Sequence, residues 1–220
     1  MNPFQKFVSE SSKVFKSGKK LPLGLKHKPR SVASWKLPKV LIFSPHPDDE
    51  CITGALALRL LREAKWKIMN VAVTLGSNRE RLGARLKELN NACDFLGFDL
   101  AAVGLRGINL ETRKKNAEQW NSDIEIILSI LKWQKPRVIF LPHEDDNHPT
   151  HVGTHFLVLD ALKKMPRNFN CFVVETEFWG QMTNPNLLVE VGADDLADLI
   201  AALSFHVGEV KRNPFHARLP

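Results

Sequence analysis

His46, Asp48, Asp49 and Glu50 share one short run, Phe43-Ser44-Pro45-His46-Pro47-Asp48-Asp49-Glu50, directly after the apolar segment Val40-Leu41-Ile42-Phe43. Three adjacent acids repel one another, so a folded protein tolerates them on a solvated surface or around a cation. A histidine and an aspartate three positions apart, just past a strand, offer the nitrogen and oxygen donors that suit a divalent metal. A second cluster strengthens the cation reading. Four of the eight histidines, His143, His148, His151 and His155, lie in the segment PHEDDNHPTHVGTH, which follows the apolar run Arg137–Leu141.

The elements that must carry these residues are legible from periodicity. Val40–Phe43, Trp66–Leu75, Leu100–Val103, Arg137–Leu141 and Cys171–Thr176 read as strands. Ile52–Ala64, Arg79–Leu96, Ala117–Trp133 and His151–Lys164 have helical spacing, with Gly97 as a left-handed cap after the second. Leu187–Val191 followed by Asp194–Phe205 predicts one more strand and helix. Apolar strands alternating with amphipathic helices define an α/β fold, a single three-layer domain with a mostly parallel, Rossmann-like sheet. Ligands in such sheets sit beyond the carboxyl ends of the strands. Both clusters follow strands, so they converge on one sheet edge. The glycine-rich turn of a dinucleotide site is absent there, because SPHPDDE fills its place and no glycine lies between the strand Val40–Phe43 and Gly54.

Charge divides the chain unevenly. The net charge is +7, yet residues 1–39 hold ten Lys/Arg against one acid, and the rest hold 21 against 23. Residues 1–37 therefore read as a basic arm and linker, with residues 1–17 spaced as a short amphipathic helix, and residues 38–220 as the domain. The plain reading of the arm is a segment packed on the domain or on a neighbouring subunit, or one that is simply disordered. Its charge also suits an anionic membrane surface. The domain itself carries a slight negative charge, which argues against nucleic acid. Cys51, Cys93 and Cys171 are odd in number and widely spaced, and no signal-like apolar stretch opens the chain, so a cytoplasmic protein with free thiols is expected.

The ordered pair of motifs, PHPDDE and then HPTH, together with Arg85-x-x-Glu88 and Leu96-Gly97, resembles the LmbE-like/PIG-L-like zinc-dependent N-deacetylases. The resemblance runs from about Lys39 to the chain end. It implies removal of an acetyl or other acyl group from the nitrogen of an amino sugar or its conjugate. It also implies that His46, Asp49 and His151 bind Zn2+, that Asp48 is the general base toward the zinc-bound water, and that His148 polarises the carbonyl or protonates the leaving amine. The chemistry of the residues agrees. Two imidazoles and one carboxylate leave zinc one net positive charge and an open position, where the pKa of water falls to about 7. Asp48 diverges from Asp49 and is free to accept a proton.

The chain departs from the family pattern at Thr150, where an aspartate is usual. Glu144, Asp145 or Asp146 is expected to supply the missing carboxylate to His148. Arg85 and Glu50 are expected to bind substrate; a salt bridge with Glu88 is the plain reading of Arg85, and a support or capping role that of Glu50. His155 and His143 read as packing or loop histidines, and Cys51 as a small buried residue. Phe178, Trp179, His206 and His216 would pack in the core or line a sugar-sized pocket. Two competing functions remain in view: an amidohydrolase of non-sugar N-acyl amines, and a non-catalytic protein that retains the metal. Oligomeric state is open, a homo-oligomer included.

Overall fold

In the computed structural model, which describes residues 2–26 and 36–219, the buried run from Val40 to Ser44 lies in the middle of a five-stranded sheet. The elements are α1 (Pro3–Gly18), β1 (Lys39–Ser44), α2 (Asp49–Ile52), α3 (Ala55–Arg62), β2 (Lys67–Ala72), α4 (Leu82–Leu96) and β3 (Asp99–Ala102). They continue with α5 (Leu110–Lys115), α6 (Ala117–Gln134), β4 (Val138–Pro142), α7 (Pro149–Lys163), β5 (Phe172–Thr176), α8 (Ala193–Leu203) and α9 (Val207–Arg212). The strand order is β3-β2-β1-β4-β5, and every pairing is parallel.

Period-two alternation divides the core into two layers. Val40 and Ile42 face one side of the sheet and pack with residues of α3, α4 and α8, including Leu58, Leu89 and Leu203. Leu41 and Phe43 face the other side and pack with Ile127 and Leu131 of α6 and Leu157 of α7. Each such fully buried aliphatic side chain contributes about 1.5–3 kcal/mol. With both faces covered, β1 can be apolar at consecutive positions, as its sequence is.

Strand order places the site. From β1 the chain steps to β2 and β3 on one side, then crosses to β4 and β5 on the other. The crevice between the carboxyl ends of β1 and β4 is therefore the switch point at which open α/β sheets bind ligands. The loop after β1 carries His46 and Asp48, and the loop after β4 carries His148.

Three expectations are corrected. Ile52–Ala64 is not one helix: α2 ends at Ile52 and α3 begins at Ala55. Gly54 makes the break, and a Cβ there would lie 2.1 Å from the Glu50 carbonyl oxygen. Between Leu100–Val103 and Ala117–Trp133, where the periodicity predicts no element, Leu110–Lys115 is helical, and the Asn109 side chain accepts a hydrogen bond from the Thr112 amide at 2.9 Å. Leu187–Val191 forms no strand: it finds no pairing partner, and Leu188 is 98% exposed.

The expected helix in the arm is α1. Asn2 accepts from the Gln5 amide at 2.8 Å while Gln5 accepts from the Asn2 amide at 2.9 Å, which caps its first turn. None of its residues is buried, and Phe4, Phe7, Val8 and Val14 are exposed. The chain just beyond it touches the domain, where the Gly24 amide donates to Ser204 Oγ at 3.0 Å. The second part of the expected linker, residues 27–35, lies outside the described residues. Among the described residues, no helix is long and apolar enough to cross a membrane.

Candidate active site

Short loops bring the two motifs together. Asp48 closes the loop after β1 with φ of 112°, in the left-handed half of the map that a non-glycine residue avoids. Holding it there costs about 1–3 kcal/mol, a strain that persists only where neighbours over-determine it. Its amide donates to Glu50 Oε2 at 3.0 Å, and its carbonyl accepts from the amides of Cys51 and Ile52 at 3.0 and 3.2 Å. The twist separates the two aspartates. Asp48 lines the cleft, whereas Asp49 Oδ2 turns back to accept from the His46 amide at 2.7 Å.

On the other loop, His148 caps α7 and Pro149 occupies the first helical position. Helical pitch then sets His151 one turn along, facing β1. Asp49 Oδ2 lies 3.5 Å from His46 Nδ1 and 3.5 Å from His151 Nε2. Ligands about 2.0–2.1 Å from a tetrahedral zinc stand roughly 3.3–3.5 Å apart, so the spacing fits. His151 Nε2 and Asp49 Oδ1 are buried with no hydrogen-bond partner, as unclaimed donors for a cation would be. The imidazoles of His46, His148 and His151 also lie with nitrogens within 4.8 Å of one another, so His148 borders the same point. Two imidazoles and a carboxylate are a donor set that suits a divalent transition metal.

Protonation follows from these surroundings. Burial pushes the Asp49 carboxyl up, but hydrogen bonding from His46 and the His151 and His46 charges outweigh it and hold it below its ordinary value. Burial pushes Asp48 well above its ordinary value, and Asp49 and Glu50 reinforce this against Arg85. His148 and His151 are both lowered, first by burial; neighbouring histidines add to this, and Asp49 and Asp146 oppose it. His148 Nδ1 accepts from the Thr150 amide at 3.3 Å. Nδ1 is therefore unprotonated, and the ring proton of the neutral imidazole sits on Nε2.

The carboxylate expected at His148 is elsewhere. None of Glu144, Asp145 and Asp146 contacts the His148 ring. Asp146 instead accepts from the His148 backbone amide at 2.8 Å and lies 3.3 Å from His151 Nδ1, orienting the imidazole whose Nε2 faces Asp49. Thr150 lines the cleft at the position where the aspartate was expected.

Of the two roles expected for Glu50, its position favours support: it is fully buried and lines no part of the cleft. Its Oε1 accepts from His206 Nε2 at 2.7 Å and its Oε2 holds the Asp48 amide. Arg85 does line the cleft. It lies 3.5 Å from Glu209 and 3.4 Å from the Pro47 carbonyl oxygen, not in a salt bridge with Glu88, which pairs with Arg81 at 3.1 Å. Gly76, at φ of +81°, admits this guanidinium, because a Cβ there would fall 1.9 Å from Arg85 Nη1.

Outside the cluster, His155 Nδ1 lies 2.9 Å from the Pro142 carbonyl and His143 Nε2 lies 2.8 Å from that of Gly180, so both brace loops. Cys51 is buried and its thiol is pushed up by burial and then by Glu50, which leaves it inert. His216 is buried away from the cleft, while Phe178 and Trp179 line it beside Phe215 of the tail. The cleft measures about 550 Å³, within the range for a sugar-sized ligand. Sequence reasoning missed the roles of His206, Glu209 and Phe215, because no local spacing ties them to residues far earlier in the chain.

Sheet order, switch-point cleft and clustered His/Asp donors define a three-layer α/β protein with a candidate metal centre. The family model "PIG-L: GlcNAc-PI de-N-acetylase" matches residues 41–162, more than half of the chain, and the chain belongs to that family. It is 30% identical over 142 residues to a probable N-acetyl-alpha-D-glucosaminyl L-malate deacetylase 2 of Bacillus cereus, covering 58% of this chain and 62% of that protein. The chain thus spans less than two thirds of that relative's length. In fold it is similar to N,N'-diacetylchitobiose deacetylase from Pyrococcus horikoshii, with a TM-score of 0.60, 19% identity, and coverage of 98% of this chain and 85% of that one. It is also similar to a 4-carboxy-2-hydroxymuconate hydratase from Pseudomonas putida, with a TM-score of 0.64, 14% identity, and coverage of 83% and 84%. One fold thus carries deacetylases and a hydratase, so the reaction must be argued from the site.

Proposed function

We propose that the protein is a zinc-dependent N-deacetylase that hydrolyses the acetamide of an N-acetylated amino-sugar conjugate. The observation that carries this reading is the placement of Asp49 Oδ2 at 3.5 Å from both His46 and His151, with Asp48 beside it in the cleft. Family membership and the name of the Bacillus relative support the substrate class. The likeness to the hydratase does not favour its reaction, because at that identity it reflects the fold alone.

His46, Asp49 and His151 would hold the metal. Asp49 is preferred to His148 as the third ligand because it already stands at ligand spacing from the other two and supplies a negative charge. The chemistry zinc supplies when bound is Lewis acidity toward the amide carbonyl and the attacking water. Asp48 Oδ takes a proton from that water and returns it to the departing nitrogen, so that amide and water become amine and carboxylic acid. Its position on a strained turn, gripped by Glu50, keeps this carboxyl off the metal and aimed into the cleft. His148 donates from Nε2 to the carbonyl oxygen as negative charge develops there. No carboxylate charges this imidazole, so it acts as a neutral hydrogen-bond donor, and Asp48 alone moves the proton. Arg85, buried at the cleft wall, is placed to hold the carboxylate product.

Metal analysis combined with free-amine release from a panel of N-acetylated sugars tests the reading. Wild type contains zinc and releases amine. Asp48→Asn keeps the metal and loses activity, and His151→Ala loses both. An active Asp48→Asn protein would remove the base from its role, and a protein that binds no divalent ion would overturn the whole reading. Zinc-loaded protein that binds these sugars without releasing amine would favour the non-catalytic alternative, and amine release only from non-sugar amides would favour the other.

A further inference from the structure

We infer that α1 is an interfacial helix that docks this chain on the surface of an anionic lipid bilayer. The helix lies apart from the candidate metal centre, and its docking is independent of the deacetylase reading above.

Helical pitch sorts the residues of α1 into two faces. Phe4, Phe7, Val8, Val14 and Phe15 fall on one side, and Lys6, Lys13 and Lys16 fall opposite them. Lys19 and Lys20 follow directly, so residues 3–20 carry five lysines against one acid, Glu10. The apolar side stands in solvent. Phe4 is 78% exposed, Phe7 68% and Val14 67%, and of these five residues only Phe15 is half-buried. Exposed apolar side chains are ordinary when single, but a contiguous stripe of them marks an interaction site. The domain meets the helix at its far end, where a Cβ on Gly18 would lie 3.1 Å from that of Ala217. That contact falls on the turn Phe215–Ala217, whose Phe215 lines the cleft, so a docked arm anchors the domain from the tail side of its cleft.

A 16-residue helix is marginal by itself in water, even with its first turn capped by Asn2 and Gln5, and gains most of its stability from a surface that covers its apolar face. A bilayer interface suits both faces. The apolar side enters the headgroup–acyl boundary by about 5–10 Å, and the lysines of the polar side stay among the headgroups. Anionic lipid attracts each lysine near its surface by about fivefold in affinity. Outside the arm the chain is slightly negative, so the attraction resides in the arm. Nucleic acid would satisfy the lysines and leave the phenylalanines and valines in water. A second copy of α1 would cover the stripe but add its own excess of lysine, where a bilayer supplies negative charge.

Co-sedimentation of the whole chain with vesicles tests this, using phosphatidylcholine alone and an equal mixture of phosphatidylcholine and phosphatidylglycerol. The chain should bind the mixed vesicles and not the neutral ones, and binding should weaken in 1 M salt, where the Debye length falls to about 3 Å. Phe7→Ser/Val14→Ser should abolish binding. Lys6→Gln/Lys13→Gln/Lys16→Gln should weaken it on the order of a hundredfold, whereas the triple arginine variant keeps it. Because the stripe is exposed, the serine variant should melt within about 2 °C of wild type. A larger fall would show the stripe packed on the domain and overturn the inference. No binding to either vesicle, or equal binding to both, would do the same. Binding to duplex DNA without binding to vesicles would assign the arm to nucleic acid instead. A dimer that the serine variant dissociates, again without vesicle binding, would assign the stripe to a second copy.

Discussion

His206→Ala is the substitution whose cost the geometry fixes best. His206 and Glu50 are both fully buried, with Nε2 to Oε1 at 2.7 Å. Once the imidazole is gone, Oε1 keeps only the weak Cys51 thiol donor at 3.2 Å in a site closed to water. Removing one partner of such a buried pair costs about 3–5 kcal/mol. In a chain of this length each kcal/mol lowers Tm by about 2–4 °C, which amounts to a drop of roughly 6–20 °C. The second consequence is catalytic. Glu50 Oε2 holds the strained Asp48 amide, so loosening Glu50 lets Asp48 relax while His46, Asp49 and His151 keep their places. Urea denaturation with a chelator present measures stability without metal linkage. Metal content and amine release on the zinc-loaded protein should then show retained zinc with reduced kcat. Glu50→Gln, His206→Gln and the double variant complete a cycle with a coupling energy above about 1 kcal/mol. A His206→Ala protein whose Tm falls by less than about 2 °C, or an additive cycle, would refute the reasoning.

Other perturbations follow from the same geometry. Asp48→Gly should stabilise the fold by about 1–3 kcal/mol while abolishing amine release, since it removes both the positive-φ strain and a buried carboxyl; a less stable variant in thermal melts would contradict the strain. Asp146→Asn should weaken metal affinity about 10–100-fold by loosening His151, read by competition with a chromophoric chelator; unchanged affinity would deny Asp146 that role. Gly76→Ala should raise KM or lower kcat by displacing Arg85, and wild-type kinetics would show that the guanidinium has another place to go. Burial raises the Asp160 carboxyl, but hydrogen bonds from Arg113, Lys163 and Trp120 outweigh it and hold it below its ordinary value. The stability it contributes is present above the unfolded pKa near ~3.9 and is lost as pH falls through the folded value. Asp160→Asn should therefore destabilise at neutral pH, with the gap to wild type closing in acid; a gap that stays constant would deny the linkage.

The order in which the fold and the site became legible has a physical basis. Strand–helix alternation and the motif spacing are local, so β1, β4 and the cluster of His46, Asp48, Asp49, His148 and His151 could be read from neighbours in the chain. Leu187–Val191 was misread because apolar content says nothing about whether a partner strand is available. For Glu50 the sequence left substrate contact and support both open because its type matches its neighbours, whereas one turn of α2 buries it away from the cleft that Asp48 lines.

What the sequence by itself determined is the parallel α/β sheet, the family, and which short segments bear the candidate ligands, because strand ends and helix pitch are set within a few residues. Only the tertiary structure decided which carboxyl does what among the three adjacent acids. It did so through a left-handed turn at Asp48 and a partner, His206, placed 156 positions beyond Glu50. It likewise assigned Asp146 to His151 instead of the His148 ring. Those outcomes depend on how distant loops meet across the sheet, a distance that no spacing along the chain encodes.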